Sequence, residues 1–182
     1  MQRAISAGLL ALLCAVAAAR GSETEVFQIA GVGPMELPMT EDGAPPAKNR
    51  KMKVDFAGFM VGKRAGNPRE AALIWTFGFR NKSLKNIESV RVEEVSPTDV
   101  AIVRVLDESP KLIDRGWIGT AEPQVATRET QPWLYSQGMS VFVFRFTVKE
   151  RGQEPQVLYQ PTVFSPEAKQ AFRRMIEKIQ EG

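Results

Sequence analysis

Ala72-Leu73-Ile74-Trp75-Thr76-Phe77-Gly78-Phe79 decides the fold class. Leu73, Trp75, Phe77 and Phe79 alternate with the smaller Ala72, Ile74, Thr76 and Gly78. Successive side chains of an extended chain point to opposite faces, so this is a strand with one heavy apolar face. Residues 139–149 repeat the pattern. Phe142, Phe144, Phe146 and Val148 point one way, and Val141, Val143, Arg145 and Thr147 the other.

Shorter extended segments lie around these two. Val26 to Val32 reads as a strand ended by Gly33-Pro34, followed by a Pro- and charge-rich linker over Pro38 to Met52. From Lys53 the β pattern resumes. Val54 and Phe56 share a face, and Phe59 and Val61 share one that is a residue out of phase. A bulge at Ala57-Gly58 accounts for the slip. Ile87 to Val95 is a strand turned by Ser96-Pro97-Thr98-Asp99, and Val100 to Leu106 is an apolar run. Glu150 to Pro155 is a hairpin loop, and Val157 to Phe164 returns from it. Pro161 either places that returning strand at a sheet edge or marks a bulge, because proline cannot donate to the ladder.

A helix ends the chain. Ser165 suits its cap, Pro166 its first position and Glu167 its first turn. Ala168, Ala171, Phe172, Met175, Ile176 and Ile179 form one apolar stripe, opposite Lys169, Gln170, Arg173, Arg174, Glu177 and Lys178. The fold expected is mainly β: an antiparallel β-sandwich of immunoglobulin-like architecture, with about seven strands and one C-terminal amphipathic α-helix. The tyrosine corner and Cys-Trp-Cys marks of antibody domains are not evident, so the label is architectural. The division expected is 1–19 as a cleaved signal peptide, 20–52 as strand and linker, 53–164 as sandwich and 165–182 as helix.

Arg3 followed by an uncharged run from Ala4 to Ala19, with Ala17-Ala18-Ala19 before a polar chain, reads as a secretory signal. The run is short for a spanning helix, which disfavours an N-terminal anchor. Leu13 stands before Cys14 where a lipobox wants a small residue, which disfavours lipidation. Periplasmic or secreted localisation follows, without an integral span after cleavage. The remaining chain keeps a net charge of about +2, close to the +3 of all 182 residues.

The chain has no histidine, and its one cysteine lies in the signal. That closes His-dependent triads, thiol nucleophiles, disulfides and ordinary zinc sites. No metal or cofactor site is expected. Asp107, Glu108 and Asp114 lack the spacing of a calcium loop. Gly58-Phe59-Met60-Val61-Gly62-Lys63-Arg64 falls one residue short of a phosphate loop, and Gly31-Val32-Gly33 says little alone. There is no G-x-S-x-G and no S-x-x-K. Glu93 and Glu94 fall on opposite sides of a regular strand. The basic run from Lys48 to Lys53 lacks interleaved aromatics, so no nucleic-acid partner is expected.

Binding is the role left open. Arg115, Trp117, Trp133 and Tyr135 lie on irregular segments, where aromatics either plug a sandwich end or contact a partner. Phe172, Met175, Ile176 and Ile179 either pack on the sandwich or present a face to a partner. The leading expectation is a non-enzymatic exported interaction domain, an accessory part of an envelope assembly. The alternatives are a small-ligand or carbohydrate-binding module using loop aromatics, and a hydrolase using carboxylates alone.

Overall fold

A computed structural model describes residues 23–40, 43–82, 87–96, 106–108 and 117–182, with the backbone alone at 106–108 and 117. The chain is mainly β and antiparallel, in a sandwich-like arrangement with a C-terminal helix. Its elements in order are β1 (Glu23–Ile29), β2 (Gly33–Met39), β3 (Met52–Arg64), β4 (Asn67–Asn81), β5 (Ile87–Glu94), β6 (Leu106–Glu108), β7 (Trp117–Thr120), β8 (Gln124–Val125), α1 (Pro132–Tyr135), β9 (Ser140–Glu150), β10 (Gln156–Phe164) and α2 (Pro166–Glu181).

One sheet runs β10-β9-β5-β6. The other runs β3-β4-β7, with β8 also on β4. The alternating faces read from the sequence meet between them. Met52, Val54, Leu73, Trp75, Phe77 and Phe79 come from one sheet, and Val90, Val92, Phe142, Phe144, Phe146 and Val148 from the other, all buried in one core. The rings interdigitate. Phe144 lies 5.0 Å from Trp75 and 5.1 Å from Phe77, and Phe142 lies 5.3 Å from Trp75. Tilted and edge-on pairs of this kind add about 0.5–1.5 kcal/mol each beyond the area they bury.

Four readings are corrected. The segment 38–52 begins inside a strand, because β2 pairs with β1 as a hairpin. Gly31-Val32-Gly33 is at its turn: both glycines take positive φ, 76° and 97°. Ile29 and Leu37 of this hairpin pack on Val95 and Val143, so the outer face of the β9 sheet is partly covered too. The bulge in β3 falls at Asp55, between Val54 and Phe56, not at Ala57-Gly58. It turns Phe56 outward and brings Ala57, Phe59 and Val61 onto the core. Ten strands stand among the described residues, where about seven were expected; the additions are β2 and short pieces beside β4 and β5. Lys169, expected on the polar side of the helix, is buried.

Other features follow the sequence. Of the two readings of Pro161, the edge holds: β10 ends its sheet, and Pro161 pairs with Val143 without a shift in register. Its edge is sealed by side-chain bonds instead of a ladder: Thr162 Oγ1 donates to Ala57 O at 3.1 Å, and Gln160 accepts from Ala47 N at 2.6 Å. Ser165 caps α2 by accepting from Ala168 N at 3.2 Å. The run 100–105 and the turn residues 97–99 lie outside the described residues.

The two aromatic positions on either side of the bulge make the fold testable. Phe144 is fully buried, whereas Phe56 is 44% exposed. Phe144→Asp places an unpaired carboxylate in the core and is expected to cost more than about 4 kcal/mol, leaving no cooperative urea transition. Phe56→Asp is expected to lose only about 1 kcal/mol. A reversed ranking in urea unfolding would show the β3 and β9 faces to be inverted.

Candidate functional site

Two surfaces stand out among the described residues. The first is the outer face of the β3-β4-β7 sheet. Phe56, Gly78 and Ile118 are cross-strand partners and form a row across three strands. Phe56 is 44% and Ile118 69% exposed. Strands lie about 4.8 Å apart, so the row spans about 10 Å. A Cβ at position 78 would stand 2.2 Å from Phe56 Cε1. Glycine therefore lets the Phe56 ring lie flat over the sheet, which is how an aromatic neighbour covers a bare glycine. Met60, four residues along β3 and beyond the Gly58–Thr76 pair, pairs with Ile74 and is also exposed. The Lys53–Asp55–Arg80 ion pairs, at 3.5 and 3.0 Å, border this apolar strip.

The second surface is the corner where α1 meets α2. It contains most of the residues singled out from the sequence. Trp133 is buried in the core, 4.9 Å from Phe142 and 5.2 Å from Phe164. Its Nε1 donates to Gln131 Oε1 at 2.9 Å, and Gln131 donates to Gln124 at 3.0 Å. It plugs the sandwich end and presents no stacking face. Phe172 lies 4.1 Å from Phe59, Ile176 is buried, and Ile179 packs on the same core. The stripe of α2 thus closes its own sandwich, while Met175 stays half-buried at its margin. Tyr135 is half-buried and keeps a surface position. Arg115 lies outside the described residues, and of Trp117 only the backbone is described, paired with Phe79 in β7.

Lys169 was missed as a site residue because its helical position falls on the polar side. The tertiary fold buries it against α1. Its Nζ donates to Ser136 O at 2.9 Å, Ser136 Oγ at 3.0 Å and Ser140 Oγ at 3.1 Å. A serine beside a buried lysine is the arrangement that activates a nucleophile. Here the hydrogen-bond directions decide otherwise. Ser136 Oγ donates to Trp133 O at 2.8 Å, and Ser140 Oγ points to the same carbonyl at 3.5 Å. The three ammonium protons are matched by three oxygen acceptors, and no hydroxyl proton is aimed at nitrogen. The cluster is a latch between α2 and the loop after α1. Burial, and then the nearby Arg173 guanidinium, hold the Lys169 pKa below its ordinary value.

Arg173 makes the next link, donating from Nη1 to Leu134 O at 2.9 Å. Its guanidinium carbon stands 5.9 Å from the centre of the Tyr135 ring, and that of Arg128 stands 5.8 Å from the same ring. No described carboxylate forms an ion pair with Arg128, Lys169 or Arg173. Elsewhere, Glu93 pairs with Arg145 at 2.7 Å and with Arg91 at 3.1 Å, facing away from the core. Glu94 contacts Ser96. No group of three or more potential metal ligands occurs among the described residues, and no described helix is long and apolar enough to cross a membrane.

No family model, curated protein or solved structure matches this chain.

Lys169→Met removes the latch and leaves Ser136 and Ser140 short of a donor. It is expected to cost about 1–3 kcal/mol at pH 7. The pH dependence has a definite sign. With its folded pKa below the ordinary 10.5, the unfolded chain binds the proton more tightly. The wild-type advantage over Lys169→Met should therefore grow as pH rises from the lowered value to 10.5. Urea titrations of both proteins at several alkaline pH values measure it; an advantage that shrinks over that range sinks the assignment.

Proposed function

We propose that this protein is an exported interaction domain that docks a partner protein and carries no catalytic centre of its own. The signal-like segment from Met1 to Ala19 supports export, and the absence of histidine supports binding over chemistry. The observation that carries the reading is the exposed Phe56–Gly78–Ile118 row on the outer face of the β3-β4-β7 sheet. Single exposed apolar residues are ordinary, but a cross-strand apolar row with charges at its border resembles an interface core with its rim. The β1–β2 hairpin packs on the outer face of the opposite sheet, and among the described residues this face is the one with exposed large apolar side chains in a cross-strand row. A stacking module is less favoured, because Trp133 is turned into the core.

Phe56→Ser together with Ile118→Ser tests the reading. The pair removes the strip without touching the core, so melting should shift by no more than a few degrees. Capture of envelope proteins by the tagged wild-type protein should recover a defined partner that the double variant loses. Equal recovery by both proteins counts against this face. N-terminal sequencing of the exported form should begin near Arg20; an intact Met1 would overturn the export step.

A further inference from the structure

We infer that the basic edge formed by residues 48–53 and the end of β4 binds the anionic phospholipid headgroups of a membrane surface. It is built from other residues than the Phe56–Gly78–Ile118 row, and it goes beyond the docking role proposed above. The turn before β3 and the antiparallel pairing bring its cations together. Asn49 Oδ1 accepts from Lys51 N and Met52 N, both at 2.8 Å, and Asn49 N donates to Met52 O at 2.9 Å, which pins the turn. Lys48 then pairs with Lys53 across it, and Lys53 pairs with Arg80 of β4. Direct partners on antiparallel strands have Cα atoms about 5 Å apart and point to one face, so these three cations form a row about 10 Å long. Lys82 N donates to Lys51 O at 2.6 Å and adds the next charge.

Carboxylates do not balance these charges. Asp55 is shared by Lys53 at 3.5 Å and Arg80 at 3.0 Å. Glu150, at the end of β9, pairs with Lys51 at 3.7 Å, and Glu88 pairs with Lys149 at 3.1 Å. Lys48, Arg50 and Lys82 are exposed, and no described carboxylate forms an ion pair with them. The loop 151–155 ends beside the same turn, where Gln156 Oε1 accepts from Asn49 Nδ2 at 3.1 Å, and it adds exposed Arg151 and Glu154. Eight cations against four carboxylates leave this edge more positive than the whole chain, whose net charge is +3. Like charges directly opposite one another on neighbouring strands repel, and an external anion relieves that cost. The layout selects the class of anion. The charges are spread along a turn and two strands instead of converging on a point, which suits a plane of phosphates better than one bound ion. Of the six cations at 48–53 and 80–82, four are lysine. Lysine is depleted in protein–protein interfaces, whereas clusters of about four to eight Lys and Arg bind anionic lipid.

The test is cosedimentation of the exported protein with vesicles. Vesicles of equal parts phosphatidylglycerol and phosphatidylcholine should bind it, and vesicles of phosphatidylcholine alone should not. Binding should weaken about tenfold or more between about 0.05 and 0.5 M salt, because the contacts are exposed charges. Lys48→Gln with Arg50→Gln should weaken it about tenfold or more at an unchanged melting temperature, the loss expected when two cations leave an anionic surface. Arg69→Gln with Arg128→Gln removes the same charge from the opposite end of β4 and should leave binding as in the wild type. Arg69 stands near the first residue of that strand, about 35 Å along it from Arg80. Arg128 follows Ala126, which donates to Ala71 O at 2.9 Å near the same end. Phe56→Ser with Ile118→Ser should still bind vesicles, which separates this edge from the partner-docking row. The inference is overturned if neither vesicle binds, if phosphatidylcholine alone binds equally, or if the Lys48 and Arg50 variant binds like the wild type. It is also overturned if the Arg69 and Arg128 variant loses as much, or if inorganic phosphate displaces more protein than sodium chloride of equal ionic strength.

Discussion

Everything else in this fold depends on the aromatic contact between two strands, β4 and β9. Trp75 and Phe77 face Phe142, Phe144 and Phe146 across the core, with ring centres 5.0–5.9 Å apart in the closest pairs. Each ring is too large to be replaced from within its own sheet, so the two sheets have one separation at which the rings interlock. Trp75 shows how far packing dominates. Among the described residues its buried Nε1 finds no hydrogen-bond acceptor, at a penalty of about 1–3 kcal/mol. The indole nonetheless stays among Phe59, Trp133, Phe142, Phe144 and Phe164. A chain without disulfides holds its sheets together by this density of rings.

A two-sheet core leaves open ends, and the closing of one end generates the polar corner. Trp133 and Phe172 fill the opening, which forces α2 against the single turn of α1. The carbonyls that end a helical turn need donors. Arg173 satisfies Leu134 O, and Lys169 satisfies Ser136 O. Lys169 sits in the first turns of α2, where the helix dipole opposes a cation. Helix-level reasoning would not place a buried charge there. The demand for donors at α1 outweighs it, and Ser165 with Glu167 supplies the complementary capping at the same helix start.

The layer structure was legible in the sequence because its signals are local. Period two in Leu73–Phe79 and Phe142–Val148, the Pro161 edge and the Ser165-Pro166 helix start each need only a few neighbouring residues. What escaped is set by distant partners. The pairing of 33–39 with 23–29 was hidden by Pro34 and Pro38, which weaken any strand signal but are tolerated in an isolated hairpin. The bulge was legible as a slip in phase but not as a position, because Asp55 and Gly58 both satisfy the same phase change. For the site, Tyr135 and the aromatic role of Trp133 were visible as types, while Lys169, Arg173 and Arg128 were not. Their meaning comes from contacts across 33 to 39 residues of chain, or from sharing a ring with Tyr135, and no short motif encodes either.

The same economy explains why the two exposed surfaces differ in kind. The outer face of β3-β4-β7 is built on cross-strand partners, and its exposed large apolar groups among the described residues are Phe56, Met60 and Ile118. Such a face gains energy by excluding water over an area and offers little direction. The α1–α2 corner gains little area but fixes guanidinium planes by hydrogen bonds and ring contacts, so it offers direction and charge. An interface needs both, since area alone does not discriminate among partners and exposed charge alone is screened by salt. This chain carries an apolar row and a charged corner on separate elements around one core.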